Sequence, residues 1–290
     1  YDITTWSLPL HRGLVSYEIK TRDLTFEVML KPLSGDFFRL ADSYKFPVVF
    51  PVSSNGSFKA AFMAMQNEMK VSRTSQEVKI NGKKYGKGSF VIQGSNETLL
   101  KSIVKETYTE PGNFSNLGNL ETTEITLPRI ALVETHFHDM DAGWTRFLFD
   151  FYNLPFTVIH PDEFEKTDFI KDFDVVIFPS SSKSLLMNGK TGIEGNYNMS
   201  NYHPDYQKGM GNKGLERLLL FIDQGGKVLS WGQSTDLFTG MLETTAGETK
   251  QEFTLPFSNV AAQAQKEGLI IPGSLVRMEL KPDQPLTYGM

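Results

Sequence analysis

Four polar residues near the middle of the chain, His136, His138, Asp139 and Asp141, are spaced H-x-H-D-x-D. Imidazole and carboxylate together suit zinc or another divalent ion, and alternating histidines on an extended segment can point the same way. No third strongly placed ligand accompanies them. The competing reading is a polar loop in which Asp141 caps the next helix and complements its dipole. His160 and Glu163 match H-x-x-E, the first half of a carboxypeptidase zinc site. That site also needs a distant His, an Arg and a Glu. Only His203 follows, so Asp162 is expected to cap a helix here instead. Gly209, Gly211 and Gly214 match G-x-G-x-x-G. The dinucleotide fingerprint requires a strand just before it, and HPDYQK is not one, so a loop-to-helix turn is expected. Ser234 in SWGQS follows an apolar run, where a strand-to-helix elbow would present a nucleophile. It would need a base and an acid beside it, with His203 as the candidate base. Asn55, Asn96, Asn113 and Asn198 head N-x-S/T triplets, which matter only in a eukaryotic secretory setting.

The elements around these residues alternate. Residues 129–134 are a short apolar run, HFHDMDAG is a polar turn, and Trp144, Phe147, Leu148, Phe151 and Tyr152 recur at helical spacing. Residues 156–160 are apolar again. Strand, loop, helix, strand is a parallel βαβ unit. In open α/β sheets the functional edge lies beyond the carboxyl ends of the strands, which is where HFHDMD falls. Further strands are expected at 173–178 and 226–231, with helices over 141–152, near 163–170 and along GLERLLLFIDQGG. The stretch 180–210 is rich in Ser, Asn, Gly and Tyr, and a loop that long is either functional or inserted. The last 40 or so residues read as additional β structure.

The first part reads as a separate small α/β unit. GLVSYEI, LTFEVMLK and FPVVF are expected strands, and SFKAAFMAMQNEM is a helix behind an Asn-Gly-Ser turn. VKINGKKYGKGSFVI gives two strands around a Gly/Lys turn, and 96–107 gives another helix. EPGNFSNLGNLETTEITL has turn residues and little periodicity, so the boundary is placed there. The expected domains are 1–120 and 128–290.

At 290 residues the chain can hold one large or two ordinary domains. A net charge of −5 argues against a nucleic-acid or anionic-membrane surface. No apolar run approaches the roughly 20 residues of a membrane-spanning helix. The chain has no Cys, which excludes disulfides, thiolate metal sites and a Cys nucleophile. It opens YDITTW, without Met or a signal-like region, as expected of a processed or excised piece.

YDITTWSLPL resembles the segment that follows the catalytic domain in large bacterial zinc carboxypeptidase-family proteins. MDAGWTRFLFD, YHPDYQKGMGNKGLERLLLFIDQGGKVLSWGQSTDLF and IPGSLVRMEL with PLTYGM are similar to landmarks of their C-terminal region. The match covers most of the chain in order, and Asp141 to Arg146 is its most specific block. The resemblance implies a flavodoxin-like, class I glutamine amidotransferase-like domain after a small α/β domain, in an exported protein. Amidotransferase chemistry does not transfer, because its Cys is absent. The zinc would belong to a preceding peptidase domain. The expected function is a non-catalytic accessory region that packs on that domain or binds a peptide or other small substrate, with no nucleic acid and no membrane span. The expected binding residues are Trp144, Arg146, Tyr197, Tyr202 and Tyr206, since aromatics and Arg on loops suit recognition. Against this stand core packing for Trp144 and solvated loop for the tyrosines. The alternative is an independent hydrolase using Ser234 or a metal at His136 and His138.

Overall fold

The computed structural model describes residues 15–18, 20, 22–31, 38, 40–114, 120–137, 139–189, 203–246, 249–255, 257–270, 278–281 and 284–289. LTFEVMLK, expected as a strand, is instead a helix over Leu24–Met29 (α1). Asp23 accepts the Thr25 N–H at 2.9 Å and caps it. None of its residues is buried, so no neighbouring strand competes with that local cap.

The first layer follows. Val48–Phe50 (β1) is completely buried. Asn55–Gln66 (α2) starts from Ser54, so the Asn-Gly-Ser expected as a turn is already helical. Lys70–Thr74 (β2), Val78–Ile80 (β3), Lys83–Tyr85 (β4) and Phe90–Gln93 (β5) come next. The stretch read as two strands thus holds three. Asn81 and Gly82 both have positive φ and turn β3 into β4, as a two-residue hairpin loop requires. Glu97–Thr107 (α3) is capped by Asn96, which accepts the Leu99 N–H at 3.0 Å. Gly112–Asn113 (β6) and Thr122–Ile125 (β7) lie in the stretch taken for a boundary, yet both pair into this layer. Sheet order is β6-β1-β5-β2-β7, antiparallel throughout. Short strands with little periodicity are invisible until an existing edge recruits them. Helices α2 and α3 cover one face through Ala60, Ala61, Ala64, Leu100, Ile103 and Val104. The β3–β4 hairpin covers the other, with Ile80 and Tyr85 against Val49 and Val91.

The second layer is parallel, as expected. Ile130–Val133 (β8), Met140–Phe151 (α4), Thr157–Ile159 (β9), a 3₁₀ turn at Pro161–Lys166 and Phe169–Asp172 (α5) lead to Val175–Phe178 (β10). Lys183–Asn188 (α6), a 3₁₀ turn at Pro204–Gln207 and Gly211–Asp223 (α7) then lead to Lys227–Ser230 (β11). The order is β9-β8-β10-β11, with every neighbouring pair parallel. Ala131, Val133, Val176 and Phe178 point to one face, where α7, α5 and the Pro161–Lys166 turn pack on them through Phe164, Phe169, Leu215 and Leu218. Ile130, Leu132 and Ile177 point to the other, which is covered from α4 by Phe149.

Of the expected C-terminal β structure, Met241–Ala246 (β12) and Thr249–Thr254 (β13) form an antiparallel hairpin. Ala261–Lys266 (α8) is helical, and IPGSLVR at 271–277 lies outside the described residues. The chain end returns to the first layer, where the Tyr288 ring lies 5.1 Å from the Arg73 guanidinium. The layers also touch at the end of α4. The Gln66 side chain donates to the Asn153 carbonyl, and Lys59 lies 5.0 Å from the Phe151 ring.

Candidate functional site

Strands β8 and β10 are neighbours, but α4 leaves β8 for one face while α7 serves the other. Chains that diverge in this way open a crevice at the strand ends. A cleft of about 310 Å³ lies there, lined by Thr135 and Asp139 after β8, Ser180 to Ser182 after β10, and Gln233 after β11.

Several polar side chains in the cleft have a structural task. Asp139 is the residue before α4, and its carboxylate accepts N–H bonds from Ala142 at 3.1 Å and Thr135 at 3.3 Å. Burial pushes this carboxyl above its ordinary value, opposed by those N–H bonds. The expected cap at Asp141 is therefore displaced by two residues. Asp141 lies inside the first turn, and its carbonyl accepts from Thr145 Oγ1 at 2.7 Å. Capping requires a non-helical residue whose side chain folds back over the turn, and Asp139, with φ −125° and ψ 86°, is that residue.

Ser234 is completely buried. Its Oγ accepts from the Ser181 N–H at 2.8 Å and donates to the Pro179 carbonyl, which ties the ends of β10 and β11 together. A hydroxyl whose proton is held by a carbonyl is not activated by a base. Ser180 Oγ accepts the Gln233 N–H at 3.1 Å. A Cβ on Gly232 would come within 2.3 Å of that hydroxyl, and φ there is +60°, so this position requires glycine.

Beside the cleft the histidines stack. The His136 ring lies 3.8 Å from His160 and 4.5 Å from Tyr206, at shallow angles to both. Two rings stacked this closely on one imidazole must occupy opposite faces of it. His136 Nε2 meets Asp162 at 3.2 Å, so Asp162 is a partner of His136 and not the expected cap. His160 Nδ1 lies 2.7 Å from the Glu134 carbonyl, which can only accept, so Nδ1 carries the proton. The H-x-x-E pair is used locally, with the His160 N–H donating to Glu163 Oε2 at 2.7 Å. This is a reciprocal cap at the start of the 3₁₀ turn. Stacked imidazoles hold their lone pairs in parallel planes and cannot converge on one ion. Among the described residues no group of three or more His, Asp or Glu is arranged to hold a metal. His138 lies outside the described residues.

His203 accepts from the Asp205 N–H at 3.3 Å and lies 5.7 Å from the Tyr206 ring, with no hydrogen bond to Ser234. Tyr206 is half-exposed, and Tyr197 and Tyr202 lie outside the described residues. Arg146 pairs with Glu134 at 3.0 Å. Of the glycines of G-x-G-x-x-G, Gly209 and Gly214 serve packing, while Gly211 has φ +59° and open space beside it. A Cβ on Gly214 would come within 2.8 Å of the Phe164 Cβ, so glycine lets α7 approach the 3₁₀ turn.

Trp144 is exposed, and it is not alone. Met140, Trp144, Phe147, Leu148 and Phe151 each keep between 49% and 65% of their surface in solvent. The inward side of α4 consists of Ala142, Thr145 and Phe149. At 100° per residue the exposed five form one stripe roughly opposite the inward side. Helix α4 therefore has two apolar faces, and its own sheet uses only one. Of this stripe only Trp144 was expected at a binding surface; the outward placement of the others and the serines after β10 escaped the sequence reading. FPSSS directly after an apolar strand could have flagged the serines.

Comparison with known proteins adds no relative. No family model, curated protein or solved structure matches the chain.

Proposed function

We propose that this chain is a non-catalytic accessory region of an exported zinc carboxypeptidase-family protein, docking on the peptidase domain through the outer face of α4. The observation that carries the reading is the apolar stripe Met140, Trp144, Phe147 and Phe151. Its spacing of four, three and four residues is that of a helix seam awaiting a packed partner. Trp144 of the stripe lies in the Asp141 to Arg146 block, the most specific part of the resemblance to that family. Two further observations support it. The order β9-β8-β10-β11 is second-first-third-fourth along the chain, as in the first four strands of a flavodoxin-like sheet. The one serine at an elbow-like position, Ser234, is buried in structural bonds.

The test uses this chain and a separately produced peptidase domain from a protein carrying the MDAGWTRFLFD block, run together by size exclusion and calorimetry. A complex is expected, and Trp144→Asp with Phe147→Asp should abolish it without lowering the melting temperature. Absence of a complex, or one indifferent to both changes, overturns the docking reading. The chain alone, with zinc added, should not turn over a C-terminal peptide substrate. Turnover abolished by His160→Ala would overturn the non-catalytic reading.

A further inference from the structure

On the opposite face of the parallel sheet from the α4 stripe, a pocket of about 550 Å³ opens beside β11. Its walls are mostly apolar, and the polar side chains of the described lining are those of Ser230, Thr235, Thr239, Ser258 and Asn259. Ile222 comes from α7, Val228 from β11, Phe238 from the turn after it, and Leu255 and Phe257 from the segment after β13. A cavity of several hundred cubic ångströms with apolar walls and few polar groups has the usual character of a small-molecule site.

The polar groups decide what kind of molecule. Thr235 Oγ1 donates to the Gly232 carbonyl, and Thr239 Oγ1 donates to the Asp236 carbonyl, so both hydroxyl protons are committed. Ser230 also lines the pocket, and its Oγ is buried with no hydrogen-bond partner among the described residues. Buried hydroxyls normally find a partner, and an orphan needs an explanation. Ser230 can both donate and accept, so it suits a hydroxyl. The described lining contains no Lys, Arg or His to hold an anion. The Asp236 carboxylate, which accepts from the lining residue Asn259 at 2.8 Å, would repel one.

We infer that this pocket binds a neutral amphiphile, an apolar chain or ring bearing one hydroxyl, with the hydroxyl on Ser230 and the hydrocarbon against Val228, Phe238 and Leu255. The site is independent of the α4 stripe and does not rest on the peptidase reading.

Thermal melting and calorimetry with 1-octanol test this, with octanoate as the charged comparison. Octanol should raise the melting temperature with increasing concentration, by mass action on the folded state, and octanoate should not. Ser230→Ala should keep the fold and bind octanol about tenfold more weakly, the loss of one hydrogen bond. Val228→Trp should fill the pocket and abolish the rise. Should that variant not fold, Phe257→Ala, at an exposed wall position, serves in its place with weakened binding expected. The inference is overturned by no octanol effect, by equal stabilisation from octanoate, by unchanged affinity in Ser230→Ala, or by unchanged affinity in whichever wall variant folds.

Discussion

The two faces of the parallel sheet are finished to different degrees. On one, Phe164, Phe178, Leu218 and Leu237 have no exposed surface, and three helices and two 3₁₀ turns share the cover. On the other, Ile130, Leu132 and Ile177 are covered through α4, Leu154 and Phe156. Leu229, in register with Ile177 one strand further out, remains 50% exposed. The covering helix then presents a second apolar stripe outward. Apolar area removed from water stabilises a fold at about 25 cal/mol per Å². The closed face therefore carries most of the stability, and the open face carries unburied area that a partner can still remove from water. A helix with two apolar faces is not evidence of a better core, because the outer face of α4 stays in solvent.

The largest effect should come from the closed face. Phe178→Ala removes a fully buried ring that meets Phe164 and Phe238, and should cost about 3–5 kcal/mol in urea unfolding. A cost below about 1 kcal/mol would mean that this face is not what holds the sheet. Next is Ser234→Ala, which orphans the Ser181 N–H between β10 and β11 and should cost about 1–3 kcal/mol. An unchanged melting temperature would show that the turn after β11 is held by other means.

A smaller effect concerns how α4 is started. Asp139→Ala should cost about 0.5–2 kcal/mol, and Asp141→Ala should be near neutral. The reverse order would restore Asp141 as the cap. Burial raises the folded Asp139 carboxyl above 3.8. A raised acid contributes stability that is fully present below the unfolded value and is lost as pH rises through the folded one. The native protein should therefore gain on Asp139→Asn as pH falls through that window. The smallest effect lies at the amino-terminal edge, common to both faces. There Arg129 donates to Asp174 from its side chain and from its backbone N–H. These bonds lower the Asp174 carboxyl from 3.8 to about 2, so its contribution is present above 3.8 and lost as pH falls toward about 2. The pair is half-exposed, so Asp174→Asn should lower the melting temperature only slightly, and less in high salt.

Much of the parallel layer was legible beforehand. Four apolar runs separated by helical or loop stretches became four parallel strands within a residue or two of their expected limits. The antiparallel layer was less so. β6 and β7 are short and weakly patterned, and they exist as strands only because β1 and β2 offer edges to pair with. The candidate site was legible in location but not in composition. Its residues come from three strand ends far apart in the chain, and spacing within one segment does not report such convergence.

By itself the sequence determined the features that local chemistry controls. Apolar periodicity set the helices and strands, the absence of Cys removed thiol chemistry, and Asn81-Gly82 set a tight hairpin. Tertiary structure decided how each side chain is used. Trp144, Phe147, Leu148 and Phe151 share helical spacing with the inward residues of α4, and only the position of the sheet turns Ala142, Thr145 and Phe149 inward and leaves the rings in water. His136 and His160 are 24 positions apart in sequence, and parallel pairing of β8 with β9 brings their rings to 3.8 Å. Burial and stacking depend on neighbours distant in the chain, and composition and spacing within one segment do not encode them.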